Sequence, residues 1–558
     1  MSLFHRQILP AHPTPKDITS RRWLYIPYDR LTDLTGPLAQ QPAAQTGIVI
    51  IESAAKSNRR PYHKKKLVLL IANMRHFALE QAARGVSVLF HFSPHDPGTA
   101  LLEAQRQHNL PTLTTTQPAE RELRIDLERA IAQGLQLNLL PDTTWLSTTE
   151  DFTEVFGPYK TGRSYVMDRF YRRMRQQTGI LMESAKPIGG NYSYDAENRK
   201  PYKGQPPIPT PPTFPPDPIT QEVIALVDRD YPSHFGSTTN FNLPTTQHDC
   251  DAMWAFALQH LLPHFGPYED AMRDDHLQLF HSKTSAIINL GRLLPATLIQ
   301  QVEQAATAGK IPLPSAEGFI RQLLGWREFM RHLHQQTDGY RLLEPTTKPG
   351  APRLDSETWE TPDLEGATPN ALNANLPLPA AYWGTPSGLH CIDTVVAQVI
   401  DEGWTHHIPR LMVLSNLATL CGFSPRQLTD WFWFSFIDAY DWVVETNVLG
   451  MATYADGGLT ATKPYVSGAA YINKMSNYCP HCQYDPKRST GPGSCPFTAL
   501  YWTFLERNQP TLGNNFRLQM PYTTLRKKSP QDLVQLRTRA EEAITHLQSL
   551  PFPKPSVV

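Results

Sequence analysis

The residues of this 558-residue chain that are best suited to metal chemistry are three cysteines near its carboxyl-terminal end. Cys479 and Cys482 form a CxxC turn, and Cys495 follows directly before Pro496. Because a CxxC turn points both sulfurs the same way, two thiolates can bind one metal centre. Zinc and an iron–sulfur cluster both accept thiolates, and the Cys-Pro ending favours iron–sulfur over structural zinc.

A fourth ligand for this centre has to come from a distant part of the chain. Cys391 is the best candidate, and the alternatives are His481, His390, Cys421 and Cys250. Six cysteines, three of them bunched, are too few for a secreted disulfide framework. A reducing compartment fits better, so we expect a cytoplasmic protein.

Charge and hydropathy exclude several classes of protein. The chain has 52 Lys+Arg against 52 Asp+Glu, which excludes a generally polycationic nucleic-acid binder but leaves room for a local basic groove. Residues 151–203 contain ten basic and six acidic residues, although a solvated helix face would explain this equally well. No window approaches 18 consecutive apolar residues and the first 22 residues lack a signal-peptide core, so we expect no membrane association.

The first 150 residues alternate buried strands with amphipathic helices. Apolar runs at 22–26, 47–51, 86–92 and 135–140 predict strands, and residues 65–83 and 118–133 predict helices. Strand–helix alternation is typical of a parallel, doubly wound sheet. The fold class predicted for this region is therefore α/β, Rossmann-like.

The remainder of the chain is expected to be mainly helical. A helix is predicted over residues 163–178, and nine prolines within residues 201–218 predict a stiff connector. Helical periodicity then dominates to about residue 445, and the aromatic-rich residues 431–442 are expected to form one helix. The predicted units are an α/β domain (1–150), a linker with a basic helix and Pro-rich connector (151–240), an all-α domain (241–525) and a carboxyl-terminal helix and tail (526–558).

Seven segments, in this order and with these cysteines, resemble the cryptochrome/photolyase superfamily and, more narrowly, its prokaryotic iron–sulfur branch. They are RPYHKKK at 60–66, MRHF at 74–77, DAENRK at 195–200, FHSKTS at 280–285, GWREF at 325–329, WTHH at 404–407 and NKMSNYCPHC at 473–482. The resemblance extends from about residue 22 to residue 522. It implies an α/β antenna domain, a long linker and a helical domain that holds FAD.

The resemblance also implies further cofactors and a substrate class. A [4Fe–4S] cluster would be bound by Cys391, Cys479, Cys482 and Cys495, and the substrate would be UV-damaged DNA that carries a (6-4) photoproduct. A 6,7-dimethyl-8-ribityllumazine antenna and Mg²⁺ for activity stay open.

Two groups of residues match the FAD site of the family. Ser282, Thr284 and Ser285 open a predicted helix where hydroxyls and free N–H groups can hold the FAD pyrophosphate, although an ordinary helix cap has the same pattern. Arg410 and Asp438 resemble the base and acid beside the isoalloxazine ring, where a bidentate pair would tune the flavin. The resemblance adds Gln322, Arg327 and His407 as FAD contacts.

Catalytic and lesion-binding roles follow from further matched positions. Repair of a (6-4) lesion needs a proton, so His407 is the candidate donor and His406 its catalytic neighbour. Trp326 and Gln322 share a helix face that could stack on a flipped base, although such a Trp is also a common core residue. Four aromatic residues could relay electrons to the flavin: Trp383, Trp431, Tyr440 and Tyr471.

Two positions depart from the family pattern. Tyr28 stands where relatives carry a Gly after the first strand, and a Tyr would crowd an antenna chromophore. The position that should face flavin N5 falls at Val444 or Glu445, and a Val can form no side-chain hydrogen bond.

The sequence leads to a main hypothesis and two rivals. The first is a light-driven (6-4) repair enzyme, expected as a monomer with damaged DNA as its partner. The second is a cryptochrome-like photoreceptor that signals with the same cofactors. The third, a zinc-stabilised helical nucleic-acid binder, would be colourless when purified.

Overall fold

A five-stranded parallel sheet occupies the first 140 residues, in a computed structural model that describes residues 2–160, 162–343 and 366–553. Its strands are β1 (Arg22–Tyr25), β2 (Thr46–Ser53), β3 (Ser87–Ser93), β4 (Leu113–Thr116) and β5 (Leu137–Leu140). The order β3-β2-β1-β4-β5 reverses direction beside β1, as in a doubly wound sheet. The predicted α/β class is confirmed, and β4 was missed because its sequence, LTTT, contains one apolar residue.

Short and long helices surround this sheet. They are α1 (Leu3–Ile8), α2 (Pro15–Ser20), α3 (Gly36–Ala39), α4 (Ala54–Asn58), α5 (Lys64–Ala83), α6 (Pro97–Gln107) and α7 (Arg121–Ala132). Helices α5 and α7 are the two that the sequence predicts. The Pro-rich connector, residues 201–217, contains no helix or strand, in agreement with its prolines.

The described residues after the sheet are mostly helical. Up to residue 343 the helices are α8 (Thr149–Phe156), α9 (Met167–Thr178), α10 (Pro218–Asp230), α11 (Gln247–Phe256), α12 (Leu262–Phe265), α13 (Ser285–Asn289), α14 (Pro295–Thr307), α15 (Leu313–Ile320) and α16 (Glu328–Gln336). From residue 366 they are α17 (His390–Glu402), α18 (Asn416–Cys421), α19 (Pro425–Ser435), α20 (Asp441–Val444), α21 (Ala469–Met475), α22 (Pro496–Arg507), α23 (Gln509–Leu512), α24 (Gln519–Arg526) and α25 (Pro530–Ser549). Residues 554–558 of the expected tail lie outside the described residues. No described helix is both long and apolar enough to cross a membrane.

Two helix predictions need correction. Helix α9 begins at Met167, four residues later than expected. The aromatic helix predicted over residues 431–442 ends at Ser435, and an irregular segment leads to α20. The break lets the backbone carbonyl of Ala439 accept a hydrogen bond from Lys66 Nζ at 2.6 Å. The aromatic run is thus divided between two elements.

A buried network of charges joins the sheet domain to the helical region. The carboxylate of Glu122 on α7 forms ion pairs with Lys56 at 3.0 Å, with Arg59 at 3.4 Å and with Arg60. The backbone N–H of Glu122 donates to Asp441 Oδ2 at 3.1 Å. Burial opposes the charge on Glu122, but Arg60, Lys56 and Arg59 hold its pKa well below the usual range. The ion pairs keep the buried Glu122 carboxylate charged within the sheet domain, and its backbone hydrogen bond to Asp441 connects α7 to the helical region.

We predict that Glu122→Gln destabilises the protein. The amide keeps the shape but leaves three buried cations without their shared anion, so the free energy of unfolding should fall by about 3–5 kcal/mol at neutral pH. Urea denaturation measures this change, and the difference from wild type should shrink in acid, as pH falls through the low pKa of Glu122. Glu506→Gln, which removes an exposed ion pair with Arg537, is the matched control. Equal stability of both variants would contradict the role given to the network.

Candidate functional site

A cavity of about 350 Å³ lies within the helical region. Ten residues singled out from the sequence line it: Ser282, Thr284, Ser285, Gln322, Trp326, Arg327, His406, His407, Arg410 and Asp438. They come from four separate stretches of chain, so only folding brings them together. The rest of the lining is largely apolar, as in most cofactor sites.

Three π-helical segments contribute to the cavity wall. They are Arg321–Arg327, Pro409–Ser415 and Glu445–Ala452. A π-helical turn widens a helix by one residue and is frequent at functional sites. In the first segment this turn presents Gln322, Trp326 and Arg327 to the cavity together.

A buried ion pair forms part of the cavity wall. Arg410 donates through both Nη atoms to the two carboxylate oxygens of Asp438, each at 2.9 Å. Ser285 Oγ donates to Asp438 Oδ2 at 2.7 Å, and Asn289 Nδ2 donates to the Asp438 backbone carbonyl at 3.0 Å. Burial works against the charged form, but Arg410 and Ser285 lower the pKa of Asp438 below its usual value. Asp438 therefore stays ionised at neutral pH.

The 282–285 turn is held next to this pair. The hydroxyls of Ser282 and Thr284 lie 2.8 Å apart, and Trp404 Nε1 donates to Ser285 Oγ at 3.3 Å. Lys283 has a positive φ of 55° and pairs with Glu402 at 3.2 Å. These contacts hold three hydroxyl side chains at the cavity wall.

Three histidines meet at another wall of the cavity. His406 is buried and its ring stacks on His281, with ring centroids 4.1 Å apart. His407 reaches solvent inside the cavity, and its ring lies edge-on to His281 at 5.4 Å. Loss of hydration in the cavity, with the cations Arg321 and Arg410, lowers the pKa of His407 to about 4. His407 is therefore neutral in the free protein at pH 7.

Gln322 and Trp326 both lie on the cavity wall formed by the segment Arg321–Arg327, and both are partly exposed. Gln322 Nε2 donates to Glu269 Oε1 at 2.9 Å, and burial raises the pKa of Glu269 to about 7 although Arg321 opposes the shift. Helix α9 packs directly behind this wall, where an added Cβ on Gly325 would lie 2.9 Å from Met167 Sδ. The basic helix and the cavity wall are therefore neighbours.

The guanidinium of Arg327 has two hydrogen-bond donors without an acceptor among the described residues. Its guanidinium stacks on Trp145 at 3.7 Å, and its Nε and Nη1 are buried without a hydrogen bond, although Glu328 lies 3.8 Å away. Burial, with Arg30 and Arg331 nearby, lowers the pKa of Arg327 to about 9. A phosphate group would satisfy these donors. The cavity therefore suits FAD in its apolar lining and in its donors.

The cavity also contains residues that sequence reasoning missed. His281, Trp404, Phe432 and Asn447 line it. His281 directly precedes Ser282, so the FHSKTS match already contained the signal for it. Of the two positions considered for flavin N5, Val444 lines the cavity. Glu445 is buried elsewhere and forms ion pairs with His334 at 2.9 Å, Arg341 at 3.2 Å and Arg426 at 3.2 Å.

Four cysteines surround a second, small cavity. Cys391 on α17, Cys479 and Cys482 in their turn, and Cys495 before α22 line about 10 Å³ with otherwise mainly apolar residues. Burial and the other three thiols raise the pKa of Cys391 well above its usual value. Cys250 and Cys421 do not line this cavity. This arrangement can hold a four-thiolate metal centre.

The four proposed relay residues do not form one group. Trp431 is buried 5.2 Å from Phe432, which lines the large cavity, and 5.2 Å from Tyr382. Trp383 follows Tyr382 in sequence and packs on Phe552 at 5.2 Å. Tyr440 is buried near Tyr28 at the junction with the sheet domain, and Tyr471 donates to Asp270 at 3.1 Å. Trp431 is the one of the four with a direct aromatic neighbour in the cavity wall.

The strand ends of the sheet leave little space for an antenna. The two cavities there enclose about 30 and 20 Å³, whereas one water needs about 10–15 Å³. Tyr28 donates to Glu120, Lys56 pairs with Glu120 at 2.8 Å, and Arg30 pairs with Asp142. Because these side chains occupy the region, the two cavities are smaller than a ribityllumazine.

Comparisons with known proteins agree with this geometry. Residues 24–243 match the family model for deoxyribodipyrimidine photo-lyase-related protein, and residues 319–486 match the FAD binding domain of DNA photolyase. The chain is 35% identical to a (6-4) photolyase of Agrobacterium fabrum, over 92% of this chain and 97% of the relative.

Solved structures show the same fold. A class III photolyase of Agrobacterium tumefaciens matches with a TM-score of 0.51 and 14% identity, over 94% of this chain and 97% of the other. A cryptochrome of Synechocystis sp. PCC6803 matches with a TM-score of 0.54 and 16% identity, over 94% and 98%. The sheet domain, the helical region and the FAD-type cavity together define a photolyase-type flavoprotein. The chain belongs to the cryptochrome/photolyase superfamily and resembles its bacterial (6-4) photolyases.

We predict that Asp438→Asn weakens FAD binding. The amide cannot balance Arg410, so the cavity wall loses a charge-assisted hydrogen bond worth about 1.5–3 kcal/mol, equivalent to roughly ten- to hundredfold in affinity if the loss is fully expressed in FAD binding. Equilibrium dialysis of protein against FAD measures the change. Asp270→Asn, outside the cavity, should bind FAD normally. Unchanged affinity in Asp438→Asn would show that the pair does not shape the flavin site.

Proposed function

We propose that this protein is a blue-light-driven lyase that repairs (6-4) photoproducts in DNA. The observation that carries the proposal is the large cavity, in which the candidate flavin contacts Arg410 and Asp438 and the candidate proton donor His407 line a single space. The (6-4) photolyase of Agrobacterium fabrum, 35% identical over nearly the full chain, supports the same activity. FAD, when bound and reduced, would supply the light-driven electron.

The chain's own residues bind and orient the cofactor. The hydroxyls of Ser282, Thr284 and Ser285 and the unsatisfied donors of Arg327 are suited to the pyrophosphate. Arg410 and Asp438 are suited to the polar edge of the isoalloxazine ring, with Gln322 and His407 as further contacts. Val444 offers that ring only an apolar surface.

The lesion would enter the same cavity as a flipped base. Trp326 provides a stacking surface worth about 1–3 kcal/mol, which offsets part of the cost of extruding a damaged base. Arg169, Arg172 and Arg173 are exposed on α9, next to the cavity wall, and can contact phosphates. Arg175 cannot, because it is buried and donates to the carbonyls of Ile180, Leu181 and Tyr192.

His407 is the proposed proton donor, with His406 and His281 fixing its surroundings. In the free protein its lowered pKa leaves it neutral, whereas a donor must be protonated. The negative charges of FAD and DNA would oppose the effect of Arg321 and Arg410, which favours the protonated form of His407 in the complex. Repair should accordingly slow as pH rises through the pKa of His407 in the complex.

The four-cysteine cavity is proposed to hold a [4Fe–4S] cluster. Its four thiols and apolar lining suit such a cluster. Trp431 is the preferred relay between the large cavity and the protein interior, with Trp383, Tyr440 and Tyr471 as secondary candidates. Mg²⁺ is proposed as an aid to DNA binding, the active form is proposed to be a monomer, and no lumazine antenna is proposed.

We predict that the protein restores an oligonucleotide containing one (6-4) photoproduct under blue light but not in the dark. His407→Gln should retain FAD yet repair about 10²–10⁴-fold more slowly and lose the pH dependence, since general acid catalysis contributes that much. His260→Gln, on an exposed ring outside the cavity, should behave as wild type. If wild-type protein loaded with FAD repairs nothing, a photoreceptor is the better hypothesis. Full repair by His407→Gln would eliminate it as the donor.

We also predict that Cys391→Ser loses the cluster. A serine hydroxyl is a poor ligand for iron, so iron content and the broad visible absorbance beyond the flavin bands should both drop. Cys421→Ser, buried elsewhere, should keep four irons per chain, the number in the proposed [4Fe–4S] cluster. Stoichiometric zinc without iron in anaerobically purified wild type would instead establish a structural zinc site.

A further inference from the structure

A second group of potential metal ligands lies next to the cysteines and is not used by the proposed function. It consists of Asp274, His390 and His481, whose ligand atoms all lie within 4.8 Å of one another. Asp274 Oδ2 is 3.2 Å from His390 Nε2 and 2.5 Å from His481 Nδ1. The three residues come from a loop, the first position of α17 and the CxxC turn.

The carboxylate of Asp274 is aimed at the histidines by a neighbour. Asn477 Oδ1 accepts from the Asp274 backbone N–H at 3.0 Å, and Asn477 Nδ2 donates to Asp274 Oδ1. This leaves Oδ2 directed at the two rings. Outer hydrogen bonds of this kind orient ligands in metalloproteins.

The two imidazoles approach Oδ2 from different directions. The rings of His390 and His481 are 5.8 Å apart with planes at 87°, and one ring nitrogen of each lies within 4.8 Å of the other and of a carboxylate oxygen of Asp274. The side chains of Asp274, His390 and His481 are 15, 32 and 56% exposed, so an ion can enter and keep water ligands.

We propose that Asp274, His390 and His481 form a binding site for a divalent transition-metal ion of the zinc type. Two imidazoles and one carboxylate with open positions are a recurrent ligand set for such ions, at bond lengths of about 2.0–2.2 Å. When the ion binds, its bonds to the three side chains replace the hydrogen bonds between Asp274 and the two histidines.

The other trio of histidines does not make such a site. His281 and His406 are stacked with planes at 17°, so an ion between them would lie outside both ring planes. Those rings also belong to the cavity already described.

The proposed ion would fasten the segments that carry the cysteines. His390 adjoins Cys391, and His481 lies between Cys479 and Cys482. An ion bound to both histidines holds these segments at a fixed separation through a bond network independent of sulfur.

The test is a metal count on the anaerobic, iron-containing protein. The protein is equilibrated with Zn²⁺, freed of loosely bound metal by gel filtration, and analysed for zinc and iron together. We expect one added zinc per chain with iron unchanged. Loss of an outer-shell partner weakens metal binding by up to about a hundredfold, and loss of a direct ligand should cost at least as much. Asp274→Asn and His481→Ala should therefore each weaken zinc binding by at least about a hundredfold. Both variants should keep their iron. The matched control His276→Ala changes an exposed histidine two residues from Asp274 and should bind zinc normally.

Three results would overturn the proposal. They are the absence of added zinc in wild type, equal zinc in all variants, and a zinc gain matched by iron loss, which would place the zinc at the cysteines. His481→Ala removes a side chain that is more than half exposed, so loss of folding cannot imitate the expected result.

Discussion

The buried ion pair between Arg410 and Asp438 is the interaction on which the functional part of the molecule depends. A carboxylate removed from water must be fully paired, and Asp438 obtains its partners from two separate segments, α13 and the π-helical segment that carries Arg410. Arg410 in turn donates through Nε to the backbone carbonyl of Thr405 at 2.7 Å, directly before the two histidines. The requirement to satisfy one buried charge thus fixes the hydroxyl turn, the histidines and the end of the aromatic segment around a common cavity.

The cavity exists because its walls are irregular. Regular helices would pack closely, whereas π-helical turns at three walls project extra side chains and leave space between them. Elsewhere the chain does the opposite. At the strand ends, Tyr28, Lys56 and Glu120 fill the region where the family resemblance raised the question of an antenna. The same polypeptide therefore keeps one site open and closes another, which leaves FAD as the single light absorber that we propose apart from the cluster.

Much of this could be predicted from the sequence, for identifiable reasons. Long apolar runs such as 47–51 specify central strands whatever surrounds them. Local motifs contain seven of the ten cavity residues, and the family resemblance supplied Gln322, Arg410 and Asp438. Strand β4 was missed because its burial comes from its neighbours and not from its own composition. Arg175 is one of the ten basic residues counted in 151–203, yet three backbone carbonyls bind it, and these contacts form only once the chain after α9 has turned back. The Asp274 trio was unpredictable for the same reason, since Asp274 lies 116 and 207 residues before the two histidines.

The most direct test of the account is a crystal structure of the FAD-loaded protein with a duplex that contains one (6-4) photoproduct. The account predicts that the isoalloxazine ring lies against Arg410 and Asp438. It also predicts that the damaged bases are flipped into the same cavity, against Trp326 and within hydrogen-bonding distance of His407. A duplex bound with its lesion still stacked in the helix, or a lesion held away from His407, would contradict the central claim.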